Sequence, residues 1–191
     1  MNQRSLGAIL ALSVVLLGGC SAVTSVTNPG TIDEDYHERT IGMEVEDGNI
    51  ENKAKHNMGR VDARLNDSRI NVDSYNGVVL LTGQVPSEEL RTSAEDITSQ
   101  VRNVRRVHNE LTISGNLPGS RVMQDAWLTT KVNTVLATSN EINSSHIKVV
   151  TENATVYLMG MVSHAEGEQA VQIAASAGGM ERIVKVFDYI D

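Results

Sequence analysis

Asn76-Gly77-Val78-Val79-Leu80-Leu81-Thr82-Gly83-Gln84-Val85 decides the fold, because the stretch recurs as Asn153-Ala154-Thr155-Val156-Tyr157-Leu158-Met159-Gly160-Met161-Val162. Upstream, in the same register, Ile70 and Val72 fall on Ile147 and Val149. A match sustained at one offset is the mark of an internal repeat. Asn-Gly between apolar runs signals a two-residue type I′ hairpin turn, whose central residues both need φ > 0. The second copy has Ala154 in place of the glycine. Alanine resists that conformation, so a wider turn is expected there.

Working outward, both copies share one order of elements. A first helix carries Ile50, Ala54, Met58 and Val61 on one face, and Leu128, Val132, Val135 and Leu136 in the second copy. After the hairpin, Pro86-Ser87 opens a second helix, and Ser163-His164-Ala165-Glu166 opens its counterpart with a capping box. The inward faces are Leu90, Ala94, Ile97 and Val101, then Ala170, Val171, Ala174 and Ala177. Strands over 107–113 and 183–190 close the halves. The fold class is therefore α+β: two domains, each α-β-β-α-β, with a three-stranded sheet packed against two helices. Gly83 and Gly160 end the second strand, where glycine marks φ > 0 or close backbone approach. Both are expected to be structural.

The amino-terminal segment reads as an export signal. Arg4 precedes the apolar run from Leu6 to Leu17, and small Gly18 and Gly19 precede Cys20, the sole cysteine. The run is too short for a permanent membrane span. Its end resembles a lipobox. That resemblance implies removal of residues 1–19 and covalent N-acyl and S-diacylglycerol groups on Cys20. Ser21, where inner-membrane retention typically uses Asp, points to the outer membrane. The domain limits expected are 1–19 signal peptide, 20–45 flexible tether, 46–114 first domain, 115–121 linker and 122–191 second domain. A tether of about 25 coil residues reaches roughly 25–30 Å.

Composition excludes several functions. The whole chain carries net charge −8, and without residues 1–19 its 15 Lys and Arg face 24 Asp and Glu, net −9. Nucleic acid, which binds through basic groups, is not expected as a partner, and any contact with anionic lipid has to be local. One cysteine leaves no disulfide. The five histidines have no metal-ligand spacing and read as surface or turn residues. Glu46-Asp47 and Asp33-Glu34-Asp35 read as solvated charges, and Ser163 beside His164 reads as a helix cap. No catalytic residue, metal or free cofactor is expected, and the chain does not read as an enzyme.

The I-x-V strand start, the N-G-x-V-x-L-x-G-x-V hairpin and the closing Val104, Val107, Asn109, Leu111 run resemble the BON domain. The second copy departs with Lys185 where the first has Asn109. Two such copies behind a lipobox are similar to the dual BON-domain outer-membrane lipoproteins of Gram-negative bacteria, over essentially the whole mature chain.

Trp127, the single tryptophan, has Asn49 as its counterpart in the first copy, so the fold itself does not need an aromatic there. Its helical neighbours are Met123, Thr130, Lys131 and Thr134, beside the core-facing Leu128, with Arg121 nearby. Such a group suits a membrane interface, where the indole buries its ring while cations meet headgroups. Packing between the two domains is the other reading, since small domains gain from docking. The residues alone leave these two even. The resemblance implies the first: anionic phospholipid bound through this helix by Trp127, Lys131, Met123, Thr130, Leu128, Thr134 and Arg121. It also implies a periplasm-facing location enriched at the division site and a part in envelope integrity. Amidase-activating or outer-membrane-assembly proteins are the partners it implies. A protein-binding adaptor or periplasmic chaperone would use the same surface for polypeptide, and a passive structural lipoprotein would not need it. With no heptad or swap signal, a monomer is expected.

Overall fold

The computed structural model describes residues 39–191. The signal, Cys20 and the tether up to residue 38 lie outside the described residues. Helix α1 (Ile41–Val61) opens behind Thr40, whose hydroxyl accepts from the Met43 amide. A short α2 (Ala63–Asp67) leads into β1 (Arg69–Tyr75), β2 (Val78–Val85), α3 (Glu88–Ser99) and β3 (Arg106–Ile113). The second half repeats this as α4 (Gly119–Thr138), a 3₁₀ turn at Ser144–His146, β4 (Ile147–Glu152), β5 (Thr155–Val162), α5 (His164–Ser176) and β6 (Arg182–Tyr189). In each sheet the middle strand pairs antiparallel with its hairpin partner and parallel with the last strand.

Ser87 caps α3, and Ser163 with Glu166 forms the expected capping box on α5. The cores follow the sequence pattern with two exceptions. Ile50, Ala54, Met58, Val79, Leu81, Val85, Leu90 and Ala94 build the first core, and Leu128, Val132, Leu136, Val156, Leu158, Ala170 and Ala174 the second. Val61, however, is 67% exposed at the end of α1, and Val135 is half-buried. A carboxyl-terminal residue of a helix can satisfy the apolar period and still overhang the sheet. Gly83, at φ 118°, and Gly160 lie directly against the carbonyl oxygens of Arg69 and His146, so a Cβ at either would strike main chain.

Helical boundaries extend beyond the expected ones. Residues 41–45, assigned to the tether, form the first turn of α1, and α4 starts at Gly119 inside the expected linker. Ile41 and Val45 are exposed, so no inward apolar period betrays that turn. Its anchor is instead Asp47.

Asp47 is the main correction to the charge reading, for it is only 3% exposed. Its carboxylate accepts from the amides of Asn76 (2.8 Å) and Gly77 (2.9 Å) and from the Ser74 hydroxyl (2.7 Å), and Arg39 pairs with it at 3.0 Å. Burial by itself would raise this carboxyl, but the hydrogen bonds from Gly77, Ser74, Asn76 and Arg39 outweigh it and hold the group below its ordinary value. Asp125, 5% exposed, occupies the matching place in the second copy and accepts from the amides of Asn153 (2.8 Å) and Ala154 (2.9 Å). Each first helix is thus fastened to its hairpin turn by one buried carboxylate. Ala154 consequently takes φ 58° next to Asn153 at φ 48°: the turn stays at two residues, contrary to the expected widening. Two charge-assisted hydrogen bonds outweigh the 1–2 kcal/mol or so that a left-handed alanine costs.

The second surface of each sheet packs on the other domain. Tyr75, Val78 and Leu80 meet Tyr157, Met159 and Val186 in a third apolar cluster. Around it, Arg69 pairs with the buried Glu152 at 2.5 Å, Lys148 with Asp73 at 2.9 Å and Glu51 at 3.1 Å, and Arg105 with Asp188 at 2.6 Å. Gln84 also donates to Glu152, at 2.7 Å. The arrangement is four layers, helices outside and two sheets face to face.

His146 corrects the histidine reading. It is buried, with Asn143 at 2.9 Å from Nε2 and Glu166 at 3.4 Å from Nδ1. His108, opposite Leu80 in the sheet, faces the second domain, and its buried Nε2 has no hydrogen-bond partner.

Ala154→Gly removes the left-handed penalty, less the entropy that glycine adds to the unfolded chain, and is expected to stabilise by roughly 0.5–1 kcal/mol; an unchanged or lower urea midpoint would count against it. Burial, reinforced by Arg106 and opposed by Glu110, holds the His108 imidazole below its ordinary 6.5. The folded state therefore binds fewer protons, and this stability is complete above pH 6.5 and lost as pH falls towards the lower folded value. The urea midpoint should drop more between pH 7.5 and 5.5 (about one unit either side of that value) for the natural chain than for His108→Gln. Equal drops would clear His108 of the effect.

Candidate functional site

The surface strip built around Trp127 lies on the outer side of α4. Asp125 and Leu128 face inward, fixing the helix's rotation: one is tied to the hairpin turn, the other is 4% exposed in the second core. That rotation turns Met123, 74% exposed, and Trp127, 64% exposed, outward together. Thr130 and Thr134 are also exposed and donate their hydroxyls back to the carbonyls of Ala126 and Thr130. Leu128 does not belong to this surface, contrary to its place in the expected contact set, because it is needed as core. Docking between the domains is not the role of Trp127, since the sheets, not α4, form that interface.

Cations lie on either side of the indole, each with a different neighbourhood. Lys131 Nζ sits 4.7 Å from the centre of the Trp127 ring and donates to the carbonyl of Gly178 at 3.0 Å. It thereby joins the helix to the loop that follows α5. Arg121 lies about one and two-thirds turns before Trp127. Its Nε donates to Asn153 Oδ1 at 3.2 Å and its Nη1 to Gln124 Oε1 at 3.4 Å, while Nη2 faces Glu181 at 3.7 Å. Between Arg121 and Trp127 runs a groove of about 200 Å³, floored by Asp125 and Leu128 and walled by Gln124, Ala154 and Gly179.

Of the expected contact residues, then, the structure brings Met123, Trp127, Thr130, Lys131 and Thr134 to one strip, sets Arg121 across the groove and withdraws Leu128. Sequence reasoning missed Gln124, Asp125, Gly179 and Glu181. For Asp125 a signal existed: Asp47-Gly48-Asn49-Ile50 and Asp125-Ala126-Trp127-Leu128 place an acid three residues before the first core residue in both copies. Elsewhere, Ser163 caps α5, and His164 stacks on Tyr189 and pairs with Asp191 at 2.6 Å. Among the described residues no group of His, Cys, Asp or Glu is placed to hold a metal ion, and no helix is long and apolar enough to cross a membrane.

Residues 46–115 and 124–191 match the BON domain family model. The chain is 34% identical to the outer membrane lipoprotein DolP of Haemophilus influenzae over 187 residues, 96% of this chain and 95% of that protein. A 21 kDa hemolysin of Actinobacillus pleuropneumoniae is 32% identical over 153 residues, 80% and 78% of the two chains. Osmotically-inducible protein Y of Escherichia coli is 26% identical over 187 residues, 95% and 92%.

Because Trp127 supports neither core nor domain interface, Trp127→Glu should leave thermal stability within about 0.5 kcal/mol of the natural chain. A large fall in melting temperature would show that the indole is a packing residue.

Proposed function

This chain belongs to the BON-domain family, as a dual-domain outer-membrane lipoprotein of the DolP type, and from that premise we propose that α4 of its second domain docks on anionic phospholipid. The observation that carries the reading is the joint exposure of Met123 and Trp127 on a helix whose rotation is fixed from inside. An indole inserts at the headgroup level with its N–H towards water. Arg121 and Lys131 on either side supply positive charge to a protein that is otherwise acidic.

Magnitudes say what such a contact can do. Fully burying a Met or comparable apolar side chain contributes about 1.5–3 kcal/mol, so two such residues hold a free domain only weakly. Attachment through lipid on Cys20 makes the contact intramolecular, at an effective concentration near the millimolar range. The anchor supplies residence on the membrane and α4 supplies selection of the lipid. On this reading the protein faces the periplasm, binds rather than catalyses, and selects an anionic zone such as the division site. There it supports envelope integrity and division-linked remodelling. The amidase-activating or outer-membrane-assembly proteins proposed as its partners rest on the family resemblance alone.

Flotation of the chain lacking Cys20 with zwitterionic or anionic vesicles tests the reading. The natural protein should float with anionic vesicles and Trp127→Glu should remain below. A natural chain that floats with neither overturns it. Trp127→Glu that keeps lipid binding but loses an envelope-protein partner would make the surface a polypeptide-binding one.

A further inference from the structure

The two cations beside Trp127 are not equivalent, and their surroundings assign them different tasks. Lys131 is committed: its ammonium faces the indole ring on one side and the Gly178 carbonyl on the other. An ammonium moved to a phosphate would give up both. Arg121 is held differently. Neutral amide oxygens of Asn153 and Gln124 orient its Nε and Nη1, leaving Nη2 towards the carboxylate of Glu181, which is itself 71% exposed. That leaves the guanidinium pre-oriented on two edges and occupied on the third by an exposed, exchangeable anion. A guanidinium fork suits phosphate oxygens. The groove beside it is continuous with Trp127, so a headgroup at Arg121 and an indole among acyl chains can belong to one lipid layer.

We infer that Arg121 is the headgroup-reading cation of this surface, that Glu181 holds its place until a lipid phosphate displaces it, and that Lys131 only positions the indole. The inference rests on lipid docking by α4 and assigns the specificity within it. Energetics permit the exchange. An exposed ion pair is worth little in water, no more than the gain of about fivefold that one basic group brings at an anionic surface. Glu181 also adds a negative charge facing that surface, so it lowers affinity twice, by pairing with Arg121 and by repulsion.

Vesicle flotation of the same Cys20-free chain separates these roles. Glu181→Gln should bind anionic vesicles about fivefold tighter with no change on zwitterionic ones; the unchanged zwitterionic binding separates this gain from the apolar adhesion of a misfolded chain. Arg121→Gln should bring anionic binding down to the zwitterionic level, and Arg121→Lys should restore it in part. Lys131→Gln should keep the anionic preference while altering the fluorescence of Trp127 in the free protein. Free inorganic phosphate at matched ionic strength should not compete. Loss of preference in Lys131→Gln with Arg121→Gln unaffected would overturn the assignment, as would an unchanged Glu181→Gln. Competition by free phosphate would remove the lipid from it. If the natural chain floats with no vesicle, the docking itself fails, an outcome distinct from any of these.

Discussion

A three-stranded sheet has two faces, and two helices cover only one of them. Each half of this chain has that shortfall, and each remedies it with the other half. β2 is buried along all eight residues, its odd-numbered residues Val79, Leu81 and Val85 against its own helices and Val78 and Leu80 against the second domain. A domain of this size buries a limited core, so the cluster of Tyr75, Val78, Leu80, Tyr157, Met159 and Val186 is part of what holds either half folded. The consequence for function is positional. With sheets inside, the first helix of each domain lies on an outer layer, and its far side is free to meet something else.

Sheet-on-sheet docking also explains why the two copies diverge where they do. Two identical faces would have to repeat every charge pair about a two-fold axis, and these two faces do not. Tyr75 in the first copy corresponds to Glu152 in the second, and Glu152 is the residue that receives Arg69 and Gln84 across the interface. Burying a carboxylate is costly without partners, and here Arg69, Gln84 and Asn71 all reach it from the opposite domain. Lys148 answers Asp73 and Glu51 in the same manner. In it, burial would depress the ammonium, but Asp73 and Glu51 prevail and raise it above its ordinary value. Divergence between the copies therefore has two sources. One is the interface; the other, at Asn49 and Trp127, faces outward, away from both the core and the interface.

The fold was largely legible because period and turn chemistry agree. Asn76-Gly77, the Ser163 capping box and the inward faces of the helices each state the same architecture from local evidence. Docking of the domains was legible in principle. β2 reads as a nearly continuous apolar run instead of an alternating one, which is what burial on both faces produces. Asp47 and Asp125 were harder to see. An acid at the start of a helix is ordinarily a solvated charge favoured by the helix dipole, and only its three-dimensional approach to the turn amides makes it a fastener. The same ignorance of the fastener produced the wrong expectation at Ala154, where propensity was overruled by two hydrogen bonds. In the surface strip, Met123, Trp127 and Lys131 followed from helical spacing alone, whereas Glu181 comes from a loop some fifty residues on. No spacing rule reaches that far.

Exposure of an apolar side chain is common and by itself proves nothing. The first domain has its own case: Ile41 and Val45 stand out from the start of α1 as Met123 does from α4. What distinguishes the second domain is the company the residue keeps. Trp127 has an ammonium over its ring and a guanidinium across a groove, and its helix is locked from within by Asp125 and Leu128. Aliphatic exposure of the first kind costs little and selects no environment. An indole flanked by cations favours the region where hydrocarbon and charged headgroups meet. The same fastening that forces Ala154 into a strained turn thus sets the rotation of α4. Rotated by one residue, the helix would bury Trp127 and expose Leu128 instead. The fold's internal carboxylate and the surface's external chemistry are therefore one constraint, read from opposite sides of one helix.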